Sequence, residues 1–375
     1  MNNKKKLLFV FGTRPEAIKV APLIIELLKF KDQFQIVVCS TGQHKEMLDQ
    51  VIEFFDINID YELALMSTNQ TLNSLSSKII SSMESVLLNE KPDYVFVHGD
   101  TTTTAFASIA AFHNQIKICH IEAGLRTNNK FSPFPEEINR SIAGLLADFH
   151  FAPTNEAKEN LLNEKISEDS IIVTGNTVID ALIYSSSIID DYKNNEIEDL
   201  EKIVDKRKII LVTGHRRENF GDGFKNICHS LIKIAQNNDV QIIYPVHLNP
   251  NVKNIVNDML SDIPNIHLIN PLNYPAFIWL MNKSYLILTD SGGVQEEAPS
   301  LGIPVLVMRD TTERPEGVEN GTAILVGTNE EKIIKTTNRL LQDEKYYKSF
   351  SQNENPYGDG NASKMIANFL IKNVK

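Results

Sequence analysis

The run Asp290-Ser291-Gly292-Gly293-Val294-Gln295-Glu296-Glu297 is the most specific chemical signal in the chain. Ser291 is a residue type that caps a helix start, and the two glycines after it let a ligand approach the backbone. Free N–H groups and the helix dipole at such a start favour an anion. Glu297, one turn further on, can accept hydrogen bonds from ribose hydroxyls. The plain alternative is a capped helix with a glycine turn; the functional reading is a site for a nucleotide diphosphate.

A second group is acidic. Asp100, in His98-Gly99-Asp100-Thr101, and Glu122, in Glu122-Ala123-Gly124-Leu125-Arg126, each follow an apolar run. Glu136 opens a helical pattern in Pro133-Phe134-Pro135-Glu136-Glu137-Ile138-Asn139-Arg140, four residues before Arg140. That spacing places Glu136 and Arg140 on one face, which suits an ordinary helix ion pair. Taken with Asp100 and Glu122, Glu136 instead joins a carboxylate cluster fit for proton transfer, whose members raise one another's pKa. Among the histidines, His44, His215 and His247 follow apolar runs beside Gly, Arg or Asn and read as ligand contacts. His98, His113, His150 and His229 fall within strand or helix patterns and read as packing. Phe277 shares a helical pattern with Tyr274 and Trp279, an aromatic spacing typical of a core, but it could also face a base.

Several chemistries are disfavoured. No G-x-G-x-x-G follows a strand-like run, which speaks against a dinucleotide cofactor. There is no G-x-x-x-x-G-K-[ST] for ATP chemistry and no H-E-x-x-H or comparable spacing for a catalytic zinc. The expectation is therefore an enzyme with no cofactor and no metal.

These residues need a scaffold that presents strand ends. Twelve short apolar runs supply it: Leu7–Phe11, Gln35–Cys39, Tyr94–Val97, Lys117–Ile121, Phe149–Ala152, Ile171–Val173, Lys208–Val212, Gln241–Val246, Ile266–Ile269, Tyr285–Leu288, Pro304–Met308 and Thr322–Val326. Each is followed by polar residues and a helical pattern, as in parallel sheets covered on both faces. Two sheets of about six strands suit two domains better than one sheet of twelve. The charged stretch Asp190–Lys208 lacks Gly and Pro and reads as a solvated helix or linker. The predicted fold class is α/β, with two Rossmann-like parallel-sheet domains facing a central cleft. The predicted domains are 1–170 and 171–361.

Composition sets the remaining bounds. The 375 residues carry 37 Lys+Arg against 48 Asp+Glu, a formal net charge of −11, which argues against a general nucleic-acid or anionic-membrane binder. Three cysteines without a C-x-x-C pair make neither a disulfide framework nor a zinc ribbon. Lys4-Lys5-Lys6 precedes an apolar run that stops at Gly12, too short for a signal-peptide core of roughly 7–15 residues. No apolar run approaches the ~18 residues of a membrane span. The expectation is a soluble, cytoplasmic protein.

Seven ordered motifs together resemble the non-hydrolysing UDP-N-acetylglucosamine 2-epimerases over nearly the whole chain. They are Gly12-Thr13-Arg14-Pro15-Glu16-Ala17-Ile18-Lys19, His98-Gly99-Asp100-Thr101, His120-Ile121-Glu122-Ala123-Gly124-Leu125-Arg126-Thr127, Pro135-Glu136-Glu137-Ile138-Asn139-Arg140, Gly214-His215-Arg216-Arg217-Glu218-Asn219, Ser291–Glu297 and Arg314-Pro315-Glu316. The resemblance implies a glycosyltransferase B-type fold, with a final helix, 362–375, returning to the first domain. It implies reversible conversion of UDP-N-acetylglucosamine to UDP-N-acetylmannosamine by a homodimer that feeds surface polysaccharide synthesis. On the family pattern, Asp100, Glu122, Glu136 and His215 match the catalytic set. Arg14, Lys19 and Arg140 match residues near the diphosphate and the active centre. Ser291, Gly292, Gly293, Glu297 and Arg314 match UDP contacts, and Phe277 lies near the uracil. Gln43, Gln70, Glu136, Arg216 and His247 match a second, activating UDP-N-acetylglucosamine site. Glu46 and Asn69 depart from that pattern, standing where Gln and Arg are usual. A UDP-sugar glycosyltransferase of the same fold, and a 2-epimerase of a related UDP-sugar, remain the alternatives.

Overall fold

The computed structural model describes residues 4–42, 45–67 and 69–374. The chain forms two compact units. One holds the residues up to Ala181 together with those from Tyr357 onward; the other is Leu182–Pro356.

The first unit is built on seven parallel strands: β1 (Lys5–Phe11), β2 (Phe34–Ser40), β3 (Tyr61–Glu62), β4 (Tyr94–His98), β5 (Lys117–Ile121), β6 (Phe149–Ala152) and β7 (Ile171–Val173). Their order is β3-β2-β1-β4-β5-β6-β7. Leu7 to Phe11 are buried on both faces of the sheet, as continuous apolar strands of a covered parallel sheet must be. The helix Arg14–Leu27 follows β1 and starts with a capping box: Glu16 N–H donates to the Thr13 hydroxyl, and the Glu16 carboxylate accepts from Thr13 N–H.

The second unit has six parallel strands: β8 (Lys208–Thr213), β9 (Val240–Pro245), β10 (Ile266–Ile269), β11 (Ser284–Thr289), β12 (Val305–Val307) and β13 (Ala323–Leu325). The order is β10-β9-β8-β11-β12-β13. Its core joins Ile210, Val212, Phe224, Leu231, Ile242, Tyr244, Leu286 and Leu288. In each sheet the strand order reverses once, between β1 and β4 and between β8 and β11, and ligands of open α/β sheets bind at the carboxyl ends of strands at such points.

Two boundaries differ from the sequence expectation. The run 171–173 was assigned to the second domain but pairs with β6, from His150↔Ile171 to Ala152↔Val173, and so closes the first sheet. Residues 357–361 also belong to the first unit. There Gly175 (φ +86°) and Gly358 (φ +134°) pass so closely that a Cβ on Gly175 would lie 3.3 Å from the Gly358 Cα, and Asn176 N–H donates to Tyr357 O at 2.8 Å. The helix Ala362–Asn373 then starts on the Asp180 carboxylate, which accepts from the N–H groups of Ala362 and Ser363 at 3.2 and 2.8 Å. Its Phe369 packs edge-on against Phe149 and Phe151. Among the described residues there are thirteen strands rather than twelve, the extra one being the two-residue β3. The stretch expected as a helix or linker contains the helix Asn195–Ile203, capped by Asn194. Among the described residues, no helix is long and apolar enough to cross a membrane.

Candidate active site

In the first unit the ends of β4, β5 and β7 carry a compact polar cluster. Glu122 follows β5 directly with φ +59°, a conformation that few non-glycine residues adopt. Its Oε2 takes an ion pair from Lys19 and a 2.8 Å hydrogen bond from Asn176 Nδ2, and lies 3.9 Å from His98 Nε2. Lys19 comes from the helix Arg14–Leu27, in which Arg14 is the half-buried first residue. Asp100 sits two residues beyond β4. Its carboxylate pairs with Arg140, and its carbonyl accepts from Asn139 Nδ2 at 3.0 Å. Burial pushes the Asp100 pKa up; Arg140 opposes this, and the nearby Glu122 charge adds to it. Asp100 and Glu122 are thus in electrostatic reach of each other, each with its own cation. Burial also drives His98 down to about 4, so it is neutral near pH 7.

The helix Glu136–Leu146 supplies Arg140, with Pro135 at its N-cap. The Glu136–Arg140 pair that the spacing allows does not form. Arg140 turns instead to Asp100 and to Glu137, one helical turn away at 3.4 Å. Glu137 is itself held by Thr127 and Asn128 N–H groups. Glu136 is left half-buried at the helix start with no salt-bridge partner among the described residues.

The second unit builds a different constellation at its own switch point. After β11, buried Asp290 organises the turn that follows β8: its Oδ2 accepts from the N–H groups of His215 and Arg216, both at 2.9 Å. His215 Nδ1 lies 3.4 Å from Asp290 Oδ1, and the His215 ring stacks on His247 at 5.5 Å between centroids. Partial burial lowers the His215 pKa; Asp290 opposes this, while Arg216 and His247 reinforce it. Ser291 is the N-cap of the short helix Gly292–Glu297, but its side chain makes no cap hydrogen bond. The expected capping role is therefore absent, and the hydroxyl is available to a ligand. A Cβ on Gly292 would sit 4.0 Å from both the Arg216 and the Arg314 guanidinium groups, so two cations flank this glycine. Arg314 is anchored by an ion pair with buried Glu296. Glu297 is buried at the end of the helix, beside Gly293. Phe277 is half-buried on the helix Tyr274–Lys283, whose Tyr274 and Trp279 are core residues.

Comparison with known proteins decides the family. The profile of the UDP-N-acetylglucosamine 2-epimerases matches residues 27–371. The chain belongs to the UDP-N-acetylglucosamine 2-epimerase family. It is 54% identical to the UDP-N-acetylglucosamine 2-epimerase of Campylobacter jejuni, over 98% of each chain. It is 52% identical to that of Escherichia coli K12, over 98% of this chain and 99% of that one. A crystal structure of the Neisseria meningitidis UDP-GlcNAc 2-epimerase bound to UDP-GlcNAc superposes with a TM-score of 0.88 at 52% identity, covering 98% of this chain and all of that one. Family membership makes the chain an enzyme, an isomerase.

Within this epimerase, the residues singled out in the sequence fall into the two sets. Asp100, Glu122, Lys19 and Arg140 come together in the first unit; His215, Arg216, His247, Ser291, Gly292 and Arg314 belong to the second. Gln70 lies in the first unit, where its Oε1 accepts from Ser67 N–H at 3.1 Å. Gln43 and His44 lie outside the described residues, as does the side chain of Glu46. His98, which reads as packing in the sequence, is buried but lies 3.9 Å from Glu122, and neither Asn139 nor Asn176 stood out there. A polar residue within two positions of a strand end that already carries a carboxylate was the available signal for His98. Among the described residues no group of three or more His, Cys, Asp or Glu side chains could hold a metal ion.

Proposed function

We propose that this epimerase interconverts UDP-N-acetylglucosamine and UDP-N-acetylmannosamine by eliminating UDP and adding it back. The C2 hydrogen has no adjacent carbonyl and is not acidic, so its removal must be coupled to loss of a leaving group. A base takes the C2 proton while the C1–O bond breaks, and the electron pair leaves on the diphosphate. The product is a 2-acetamidoglucal with a C1–C2 double bond. Addition of UDP at C1 with protonation of C2 on the other face completes the inversion.

The observation that carries the reading is the pair of strand-end carboxylates, Asp100 and Glu122, within reach of each other's charge and each beside a cation. Such a pair can hold one proton and release another at the same pH. Glu136 completes the proton-transfer set, with Arg14 and Arg140 near the diphosphate. In the second unit, Ser291 Oγ, the backbone of Gly292 and Gly293, and the Arg314 guanidinium suit the diphosphate. His215 serves as proton carrier for the departing UDP, Glu297 binds the ribose and Phe277 faces the uracil. The UDP-GlcNAc bound by the Neisseria relative supports this substrate class.

We also assign a homodimer. Leu88, Phe112 and Leu145 stand exposed on the adjoining helices Leu72–Glu90, Thr102–His113 and Glu136–Leu146 of the first unit. Apolar side chains exposed on neighbouring elements mark association surfaces. The buried free thiols Cys39, Cys119 and Cys228 suit a cytoplasmic enzyme, one that supplies UDP-N-acetylmannosamine for surface polysaccharide.

The test is proton NMR of the protein with UDP-N-acetylglucosamine in deuterated water, without added cofactor. Deuterium at C2 together with UDP-N-acetylmannosamine is the expected result. Free N-acetylmannosamine accumulating with UDP, or intact UDP binding with no exchange at C2, overturns the proposal.

A further inference from the structure

We propose that His120 is a positioning residue that sets the spacing between Asp100 and Glu122, a role that rests on the function proposed above. His120 is fully buried on β5, two residues before Glu122. Its Nε2 lies 2.7 Å from the carbonyl oxygen of Gly99, and Gly99 N–H donates to Ile121 O at 2.9 Å. Both backbone polar groups of Gly99 are therefore tied to β5, on the residues immediately before Glu122. Gly99 in turn precedes Asp100. Its left-handed φ of +64° turns the chain so that a Cβ would point at Glu122 Oε1, 3.7 Å away. One side-chain hydrogen bond thus registers the peptide that carries the first carboxylate against the strand that carries the second.

The rest of the ring explains why a histidine stands there. A carbonyl oxygen only accepts, so Nε2 carries the proton and Nδ1 is a bare acceptor. Nδ1 is buried with no hydrogen-bond partner among the described residues. A buried acceptor without a donor is destabilising, and an apolar side chain would pack there without that cost. What the imidazole adds is the Nε2–H bond to Gly99. Burial holds the ring neutral, down to about 3, so this donor is constant over the working range of the enzyme.

The reach of the donor gives the test. In His120→Gln the amide Nε2 stands about as far from the backbone as imidazole Nε2; in His120→Asn the donor falls short. A misplacement of about 1 Å in a reacting group can cost roughly 10²-fold in rate. C2 deuterium exchange on UDP-N-acetylglucosamine is expected to fall about 30–100-fold in kcat for His120→Asn and by less than about threefold for His120→Gln. KM and the affinity for UDP should stay within about twofold of wild type in both, since the UDP groups lie in the other unit. Equal kcat in the two variants, whether high or low, overturns the proposal. Independently of either variant, ¹⁵N NMR of the wild-type imidazole should show the Nε2–H tautomer; the Nδ1–H tautomer overturns it as well. Wild-type exchange with equal variants refutes only the role of His120, whereas no exchange in wild type refutes the function on which it rests.

Discussion

Glu122→Gln separates what the Glu122 carboxylate does in chemistry from what it does in the fold. The pair with Lys19 is mostly buried, with 10% of the Glu122 side chain and 17% of the Lys19 side chain exposed. Removing one partner of a fully buried pair costs about 3–5 kcal/mol, largely because the other charge stays behind. Partial exposure of Lys19, and the hydrogen bond that Gln still offers to Asn176, reduce this to about 2 kcal/mol. For a unit of roughly 200 residues that is a fall of about 4–8 °C in the melting temperature. The double variant Glu122→Gln/Lys19→Met removes the stranded charge and should recover most of that loss. The rate should behave differently. Loss of a general acid or base costs about 10²–10⁴-fold. C2 exchange is expected to fall by at least about 10²-fold in both variants, with UDP affinity by calorimetry unchanged in Glu122→Gln. Exchange within about threefold of wild type in Glu122→Gln would refute the assignment, and a double variant no more stable than the single one would refute the electrostatic account.

Three further outcomes follow from the same geometry. Ser291→Ala should leave the melting temperature unchanged, because the hydroxyl makes no cap bond, while weakening UDP binding about fivefold; a lost degree of stability with unchanged affinity reverses the conclusion. His98 and His120 are held neutral by burial, at about 4 and about 3 against a usual 6.5, so the unfolded chain takes up protons first and stability falls as pH drops below 6.5. His98 alone then removes about 3 kcal/mol by pH 4, and chemical denaturation of His98→Gln should show a correspondingly shallower acid slope; an unchanged slope would place the acid sensitivity elsewhere. Leu145→Lys puts a charge on the most exposed apolar side chain of these helices of the first unit, and light scattering should show the mass of one chain instead of two. A mass unaffected by the substitution would remove that face from the interface.

The sheets were readable because a parallel strand covered on both faces is a continuous apolar run, and each of the twelve runs overlaps an observed strand. Tyr61–Glu62 was not, since two residues make no run. The strand at 171–173 was visible, but its sheet was not: an apolar run carries no record of its pairing partner, and only the register with His150 to Ala152 assigns it. The carboxylates Asp100 and Glu122 could be picked out because they follow strands. Their partners could not, because Lys19 and Asn176 reach Glu122 from 103 and 54 residues away. His98 and His120 look like packing residues from their strand context, and a neutral buried imidazole is distinguished only by what its nitrogens meet. The Glu136–Arg140 spacing permitted a pair that the structure replaces, because the same guanidinium meets Asp100 from beyond β4 and buried Glu137 from its own helix.

The first unit is discontinuous in sequence, and this has a consequence for the order of events at the ribosome. Its seven strands are made before Leu182–Pro356, but the helix Ala362–Asn373, started on Asp180 and wedged by Phe369 against β6, leaves the exit tunnel only after it. Leu182–Pro356 is one uninterrupted stretch and can complete its core while the earlier unit still waits with Phe149 uncovered. At about 5–20 residues per second, the wait lasts on the order of ten to forty seconds. The Glu122 cluster shares this fate, because Asn176, which donates to Glu122, is tied to Tyr357 at the point where the chain returns. The first unit, begun before the second, is thus completed after it.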